Sequence, residues 1–238
     1  MLQTTRAVVL KTIRHGDTSI ILKAYTESSG LRSYVVRAGA RKSSGRMAVL
    51  QPLNRVEIVA TEDPDRDLNN VREIRVAEPY MKLPFDPLRG TIALFVQEVL
   101  YRVLKEGSAD PELFEFVQRA LHAMDQQEDL RHFPILFLLG MAAQLGFAPE
   151  PPQAGEDRFD LKEGYFTHGD AQHGHTMGPP LSTALARSVM ADGFILPGNP
   201  LPLEVRRQLL DHLLLYFRLH VEGLGELRSP AVLHQVLS

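Results

Sequence analysis

Two different periods of apolar residues divide the chain. In roughly the first eighty residues, short apolar runs alternate with polar positions, the period of half-buried β-strands. Further along, apolar residues recur every three to four positions, the period of amphipathic helices. Pro79, Pro84 and Pro87 lie at the change and disfavour both strand pairing and helix. The pattern predicts a β-rich domain over residues 1–82 and a helical domain over residues 83–238.

The first domain contains five predicted strands separated by turn residues such as His15-Gly16-Asp17 and Asn69-Asn70. The strands cover residues 5–12, 19–25, 31–38, 55–61 and 71–77. Five antiparallel strands in about eighty residues suit a small closed barrel, since closure removes exposed strand edges. The oligonucleotide-binding (OB) fold is such a barrel. The predicted fold is therefore multidomain, β then α, with an OB-fold barrel followed by an all-helical domain.

The second domain contains six predicted helices. They cover residues 92–103, 111–124, 133–146, 182–190, 203–221 and a short last segment from residue 229. Asp110 and Pro111 suit the N-cap and first position of the second helix. The third helix is apolar nearly all round, which favours the centre of a bundle. Residues 148–180, rich in Pro, Gly, His and acidic residues, predict an irregular insertion with a strand-like fragment over 159–166 and a small hairpin.

Composition restricts the chemistry further. The 238 residues include no cysteine, which excludes disulfides and thiolate metal sites and fits a reducing cytoplasm. The N-terminus has no signal-peptide layout. The longest apolar run, residues 133–145, is shorter than the ~20 residues of a membrane span, so we expect no membrane partner.

Charge is unevenly distributed along the chain. The net charge of −3 combines +7 over residues 1–60, −2 over residues 61–84 and −8 over residues 85–238. A basic front and an acidic remainder indicate different partners for the two domains.

The basic charge is concentrated after the third predicted strand. Arg37, Arg41, Lys42 and Arg46 lie in a loop broken by Gly and Ser, within a window, residues 28–56, that holds six basic and no acidic residues. Flexible spacing lets several cations and backbone N–H groups approach phosphates. We therefore predict that this stretch binds a nucleic-acid backbone, with a solvated surface loop as the alternative.

Further residues of the barrel could extend this surface. Lys11 and Arg14 are candidate DNA-binding residues on the first strand, and Arg6, Lys23 and Arg32 are scattered cations that could join them. Tyr34 leads into the basic loop, where its ring could stack on a base or fill the core. Aromatic residues are otherwise few, which favours sequence-tolerant binding to the backbone of single and double strands.

The sequence predicts no catalytic residue, no metal site and no cofactor, because it lacks the phosphate-loop, nucleophile-elbow and zinc-protease motifs. His168, His173 and His175, with Asp170, could chelate a metal, but their spacing matches no zinc motif, and a polar loop is the preferred interpretation. Four phenylalanines of the helical domain form either core or a shallow groove for a partner's apolar tail. They are Phe95, Phe114, Phe116 and Phe137.

An ordered set of short segments resembles the RecO family of bacterial recombination mediators. The segments are Arg6-Ala-Val-Val-Leu, Asp17-Thr-Ser, Tyr25-Thr-Glu-Ser-Ser-Gly, Ala38-Gly-Ala-Arg-Lys-Ser, Leu50-Gln-Pro-Leu, Pro79-Tyr80, Val99-Leu-Tyr-Arg-Val-Leu, Asp110-Pro-Glu-Leu-Phe, Leu145-Gly-Phe and Arg228-Ser-Pro. Residues 159–166 match the place where many members carry a zinc-binding cysteine quartet, which this chain lacks.

The resemblance implies an OB barrel, a helical domain and a role without enzymatic chemistry. It implies binding of single- and double-stranded DNA, annealing of complementary strands and location at the bacterial nucleoid. It also implies two protein partners, RecR and the acidic, apolar C-terminal tail of the single-stranded-DNA-binding protein (SSB), which docks on the helical domain. With these partners, RecA is loaded on SSB-coated DNA.

Two other functions are kept as alternatives. The first is an OB-fold adapter that binds protein or structured RNA without a mediator role. The second is a metal-dependent hydrolase built on residues 168–175.

Overall fold

A computed structural model describes residues 2–16, 19–37, 44–61, 63, 66–169 and 173–236, with the backbone alone for residues 44–46 and 236. The chain forms two compact units. The first unit comprises residues 1–84 and 97–121, and the second comprises residues 85–96 and 122–238. The sequence analysis divided the chain into two continuous domains, residues 1–82 and 83–238, and this division stays a prediction.

The first unit is built on a closed five-stranded barrel with the order β1-β2-β3-β5-β4. The strands are β1 Leu2–His15, β2 Ser19–Thr26, β3 Gly30–Arg37, β4 Arg55–Thr61 and β5 Leu68–Glu78. The predicted OB-type barrel is therefore confirmed. Alternate residues of β1 to β4 fill its core, including Val9, Leu22, Tyr34 and Ile58, and Val71 and Ile74 of β5 pack against them.

One pairing in the barrel differs from the predicted all-antiparallel sheet. β3 and β5 run parallel, with Ser33 opposite Leu68 and Val35 opposite Asn70, whereas the other four ladders are antiparallel. The reason is geometric: five strands of alternating direction cannot close into a ring without bringing two strands of the same direction together. The expectation of five antiparallel strands was wrong at this seam.

A second difference lies within the basic stretch, which was predicted as loop. Its last part forms helix α1, Ser44–Val49, between β3 and β4. Leu50, only 1% exposed, and the partly buried Val49 pack against the barrel core. Tertiary packing of these two residues outweighs the helix-breaking tendency of Gly45.

The remaining elements follow a 3₁₀ turn, Leu83–Phe85. The helices are α2 Pro87–Val103, α3 Pro111–Gln126, α4 Phe133–Gln144, α5 Leu181–Val189, α6 Leu203–His220 and α7 Ser229–Val236. All six predicted helices are confirmed. Nine of the twelve residues of α4 are buried, as expected of a central helix.

The predicted insertion forms a small three-stranded sheet of order β7-β6-β8. Its strands are β6 Arg158–Asp160, β7 Phe166–Thr167 and β8 Thr176–Met177. The fragment predicted over residues 159–166 is thus a hairpin rather than one strand. Gly164 (φ 85°) adopts the left-handed conformation within its turn.

Candidate nucleic-acid interface

The basic stretch begins at a fixed point, the end of β3. Arg37 is the last residue of that strand, pairs with Ser19 of β2 and has an exposed side chain. Arg41 and Lys42 lie outside the described residues. Arg46 belongs to α1, and its side chain is likewise outside the described part. Of the four predicted cations, the structure therefore places the side chain of Arg37 alone.

The stretch also ends at a fixed point, because α1 is attached to the barrel beyond it. The Asn54 side chain donates hydrogen bonds to the carbonyl oxygens of Ala48 (2.7 Å) and Val49 (3.1 Å) at the end of α1. The backbone N–H of Leu53 donates to the carbonyl of Val9 at 2.7 Å. Residues 38–43 therefore connect two ends that the barrel holds in place.

The predicted sites on the strands fall in different environments. Lys11 is exposed, and its Nζ lies 4.7 Å from the centre of the Tyr101 ring, a cation–π contact. Arg14 is exposed near the end of β1, opposite Ile20. Tyr34 is fully buried in the barrel core, which is the alternative that the sequence left open for its ring. In this conformation its faces are covered by protein.

Several other cations of the first unit are paired with acidic side chains. Their nitrogen–oxygen distances are 2.6 Å for Arg6 with Glu27 and with Glu115, 3.6 Å for Lys23 with Glu106, 2.5 Å for Arg55 with Glu78, 3.1 Å for Arg66 with Asp63, and 2.6 Å for Arg75 with Glu57. The hydrogen bonds from Arg6 lower the pKa of Glu27. These pairs reduce the charge that such cations offer to a phosphate.

An apolar row lies between the exposed cations of β1 and β3, and the sequence analysis did not single it out. Ile13 is paired with Ile21, and Ile21 with Val35, so the three lie side by side on the outer face of the sheet. The signal was the run of consecutive apolar residues in β2 and β3. Once Ile20, Leu22 and Val36 fill the core, the residues of the opposite phase must face outward.

A second feature missed by the sequence analysis is a small pocket in the second unit. Three arginines, Arg131, Arg206 and Arg207, line it together with Pro134, Ile135, Leu203, Leu210 and His234. Burial, and then the like charge of Arg131, lower the pKa of Arg206. The adjacent Arg206-Arg207 pair between Leu203 and Leu210 on α6 was the available signal. Arg131 is itself paired with Asp129 at 2.6 Å. The arginine and apolar side chains of this lining suit an anionic ligand with an apolar group.

The phenylalanines proposed as core or groove are buried in the structure. Phe95 and Phe137 of the second unit are both 0% exposed, and Phe114 and Phe116 of the first unit are 0% and 6% exposed. They belong to the core, so an apolar groove must be sought elsewhere.

The histidine cluster is engaged in hydrogen bonds. His173 Nε2 lies 3.1 Å from Asp160 Oδ2, and His168 Nδ1 lies 3.0 Å from the carbonyl oxygen of Gly155. Asp170 lies outside the described residues. In the described part of the chain, no group of three or more His, Asp or Glu side chains is placed to hold a metal ion. Over the same residues, no helix has the length and apolarity required to cross a membrane.

Comparison with known proteins assigns both parts of the chain. The family model for the recombination protein O N terminal matches residues 1–80, and that for the recombination protein O C terminal matches residues 84–230. Curated relatives named DNA repair protein RecO include those of Flavobacterium johnsoniae and Flavobacterium psychrophilum, each 30% identical over 98% of both chains. The relative from Porphyromonas gingivalis is also 30% identical over 98% of both chains. The chain therefore belongs to the RecO family of DNA repair and recombination proteins.

Proposed function

We propose that the protein is a recombination mediator that binds single- and double-stranded DNA through its barrel and anneals complementary strands. The observation that carries this proposal is the basic end of β1–β3, where Arg14 and Arg37 have exposed side chains. Family membership supplies the repair role. Cations that neutralise phosphates lower the repulsion between two strands, so pairing can begin without a chemical step or a bound cofactor.

The same proposal assigns two protein partners, RecR and SSB. For the C-terminal tail of SSB, which is acidic and apolar, we propose the pocket at Arg131, Arg206 and Arg207. An anion there would offset the effect of burial and of like charge on Arg206. Apolar residues of the tail would contact Ile135, Leu203 and Leu210.

Annealing of complementary oligonucleotides tests the mediator function. The protein should anneal bare strands alone and SSB-coated strands with RecR. Arg206→Glu should leave annealing of bare strands unchanged but slow annealing of SSB-coated strands about tenfold or more, since it places an acid opposite an acidic tail. Arg218→Glu, on the same helix α6 but outside the pocket, is the matched control. Failure of the protein to anneal bare strands would reject the mediator function. Equal annealing rates of the two variants on SSB-coated strands would reject the pocket as the binding site of the SSB tail.

The dependence of DNA affinity on salt tests the cations of the basic stretch. If Arg41 and Lys42 each contact one phosphate, replacing both with Ala should flatten the log–log salt slope for single strands by about 1.4, at ~0.7 per contact. Replacing Arg66 and Arg75, which are paired with Asp63 and Glu57, removes the same charge and should leave the slope nearly unchanged. An unaltered slope in the Arg41/Lys42 variant would exclude these residues from the interface. A preference for RNA of equal length would favour the adapter alternative.

A further inference from the structure

The apolar row formed by Ile13, Ile21 and Val35 on the outer face of the barrel, called the strip below, is not part of the core. Ile13 is 41% exposed, and Ile21 and Val35 are half-buried. Directly paired residues of neighbouring strands project from the same face, so the three side chains form a strip about 10 Å wide across three strands. The core on the other side of the sheet is filled by residues such as Leu22 and Tyr34. The strip therefore needs another explanation than barrel packing.

Residues 97–121 cover the adjoining part of the same outer face. Tyr101 lies against Lys11, and Glu106 lies 3.6 Å from Lys23, both one outward-facing position along the strands from the strip. The cover does not enclose the strip, because Ile13 keeps 41% of its surface exposed. The strip is thus open to solvent at Ile13, while Ile21 and Val35 are half-buried.

Positive charge flanks the strip on both sides. Two residues along a strand span about 7 Å, so Lys11 lies at that spacing on one side and Arg37 on the other. Lys23 lies beside Lys11 but is paired with Glu106 at 3.6 Å, so it contributes less charge. The three strand segments 11–15, 19–23 and 33–37 contain four Lys/Arg and no Asp/Glu. Asp17, between β1 and β2 in the sequence, lies outside the described residues.

This arrangement matches a single nucleic-acid strand in charge and polarity. The phosphates of such a strand can lie against the flanking cations while the faces of its unstacked bases lie on the apolar strip. A duplex offers its phosphates but keeps its base faces inside the stack. An aliphatic surface has no hydrogen-bonding pattern, so it contacts any base and reads no sequence.

We propose that Ile13, Ile21 and Val35 form a base-contacting strip through which the barrel discriminates single-stranded from double-stranded DNA. The proposal rests on the proposed DNA binding and extends it with a determinant of specificity. It also gives the barrel a surface for bases that does not require the buried ring of Tyr34. The cations determine affinity for both single- and double-stranded DNA, and the strip adds affinity for single-stranded DNA alone.

Binding of a fluorescent oligothymidylate and of a hairpin duplex to the full-length protein tests the strip. Thr replaces Ile with retention of the β-branch and loss of apolar surface. Ile13→Thr with Ile21→Thr should weaken binding of the single strand about tenfold, with the salt slope unchanged because no charge is altered. Binding of the duplex should change less than roughly twofold, since it depends on phosphate contacts.

Two further variants guard against a general loss of structure. Val76→Thr alters a residue of β5 with similar exposure, 37%, outside the strip, and should leave both affinities unchanged. Ile13→Val keeps an aliphatic surface and should retain binding close to that of the native protein. An unchanged single-strand affinity in the double variant, or an equal loss of affinity for both DNAs, would reject the proposed role of the strip. Neither result would contradict binding of phosphates by the cations. Absence of DNA binding by the native protein would instead reject the proposed function.

Discussion

His132, at the start of α4, is a buried histidine whose ring serves as an acceptor. It is 8% exposed, and its Nε2 accepts a hydrogen bond from the backbone N–H of Leu201 at 3.0 Å. Burial is the main cause that lowers its pKa to about 4, and the nearby Arg206 adds to the effect. The folded protein therefore holds this ring neutral under conditions in which the unfolded chain would bind a proton.

Stability should consequently fall as the pH drops from about 6.5 towards 4. The pKa is depressed on folding, so the contribution of His132 is complete above the unfolded value and is lost below it. Between pH 7 and pH 5 the loss is about 2 kcal/mol of unfolding free energy. His132→Gln keeps a hydrogen-bond acceptor but cannot titrate, so urea unfolding at both pH values should show a smaller drop for the variant. The same drop in both proteins would contradict this role of His132.

Local sequence patterns predicted the hydrogen bonds and burial of some residues but not of others. Asp110 was predicted to cap α3, and its Oδ1 accepts the backbone N–H of Leu113 at 3.0 Å. Arg89 was not predicted to be buried, yet it is 4% exposed. It donates hydrogen bonds to the carbonyl oxygens of Met124 (2.5 Å) and Gln127 (2.7 Å) at the end of α3. These partners lie more than thirty residues away, and no local pattern indicates them.

At the level of elements, the period of apolar residues predicted every strand of the barrel and all six helices of the second half. Gly146 was expected to end the third helix. With φ 82° it follows α4, and the N–H groups of Gly146 and Phe147 donate to the carbonyls of Ala143 and Ala142. The period fails where tertiary contacts form an element, as in the short helix α1 held by Leu50 and Asn54.

The small sheet β6–β8 lies where the family resemblance places a cysteine quartet. Here the buried carboxylate of Asp160, 3% exposed, accepts the N–H groups of Lys162 (2.8 Å) and Glu163 (3.1 Å) and contacts His173. Hydrogen bonds to one carboxylate thus connect the β6–β7 turn with the segment before β8. The sequence showed the histidines and acids but not which of them meet.

At the level of the molecule, the barrel and residues 97–121 belong to one compact unit. Tyr25 is 3% exposed and lies 5.8 Å from the Phe114 ring, and Leu31 is bridged to Glu106. Gln97 donates to the carbonyl oxygen of Leu10 at 2.8 Å. The barrel thus buries part of its outer face against chain that the sequence assigned to the helical domain.

A fragment of residues 1–121 should therefore be more stable than a fragment of residues 1–82. Without residues 97–121, Tyr25 and Leu31 lose apolar cover, and we expect the thermal midpoint of the shorter fragment to be lower by roughly 10 °C. Circular dichroism melts of the two fragments measure this difference. Equal midpoints would support a barrel that is self-sufficient at residue 82, as the sequence-based boundary proposes.

The parallel pairing of β3 with β5 has a consequence for biosynthesis. On the ribosome, β1, β2 and β3 are made first and can pair through short turns. The outer edges of that three-stranded sheet, β1 and β3, stay unpaired until β4 and β5 are made, because β1 pairs with β4 and β3 with β5. Until residue 78 has left the exit tunnel, two strand edges remain open to other nascent chains. In a crowded polysome, the barrel is most exposed to misassembly in this interval, before its ring can close.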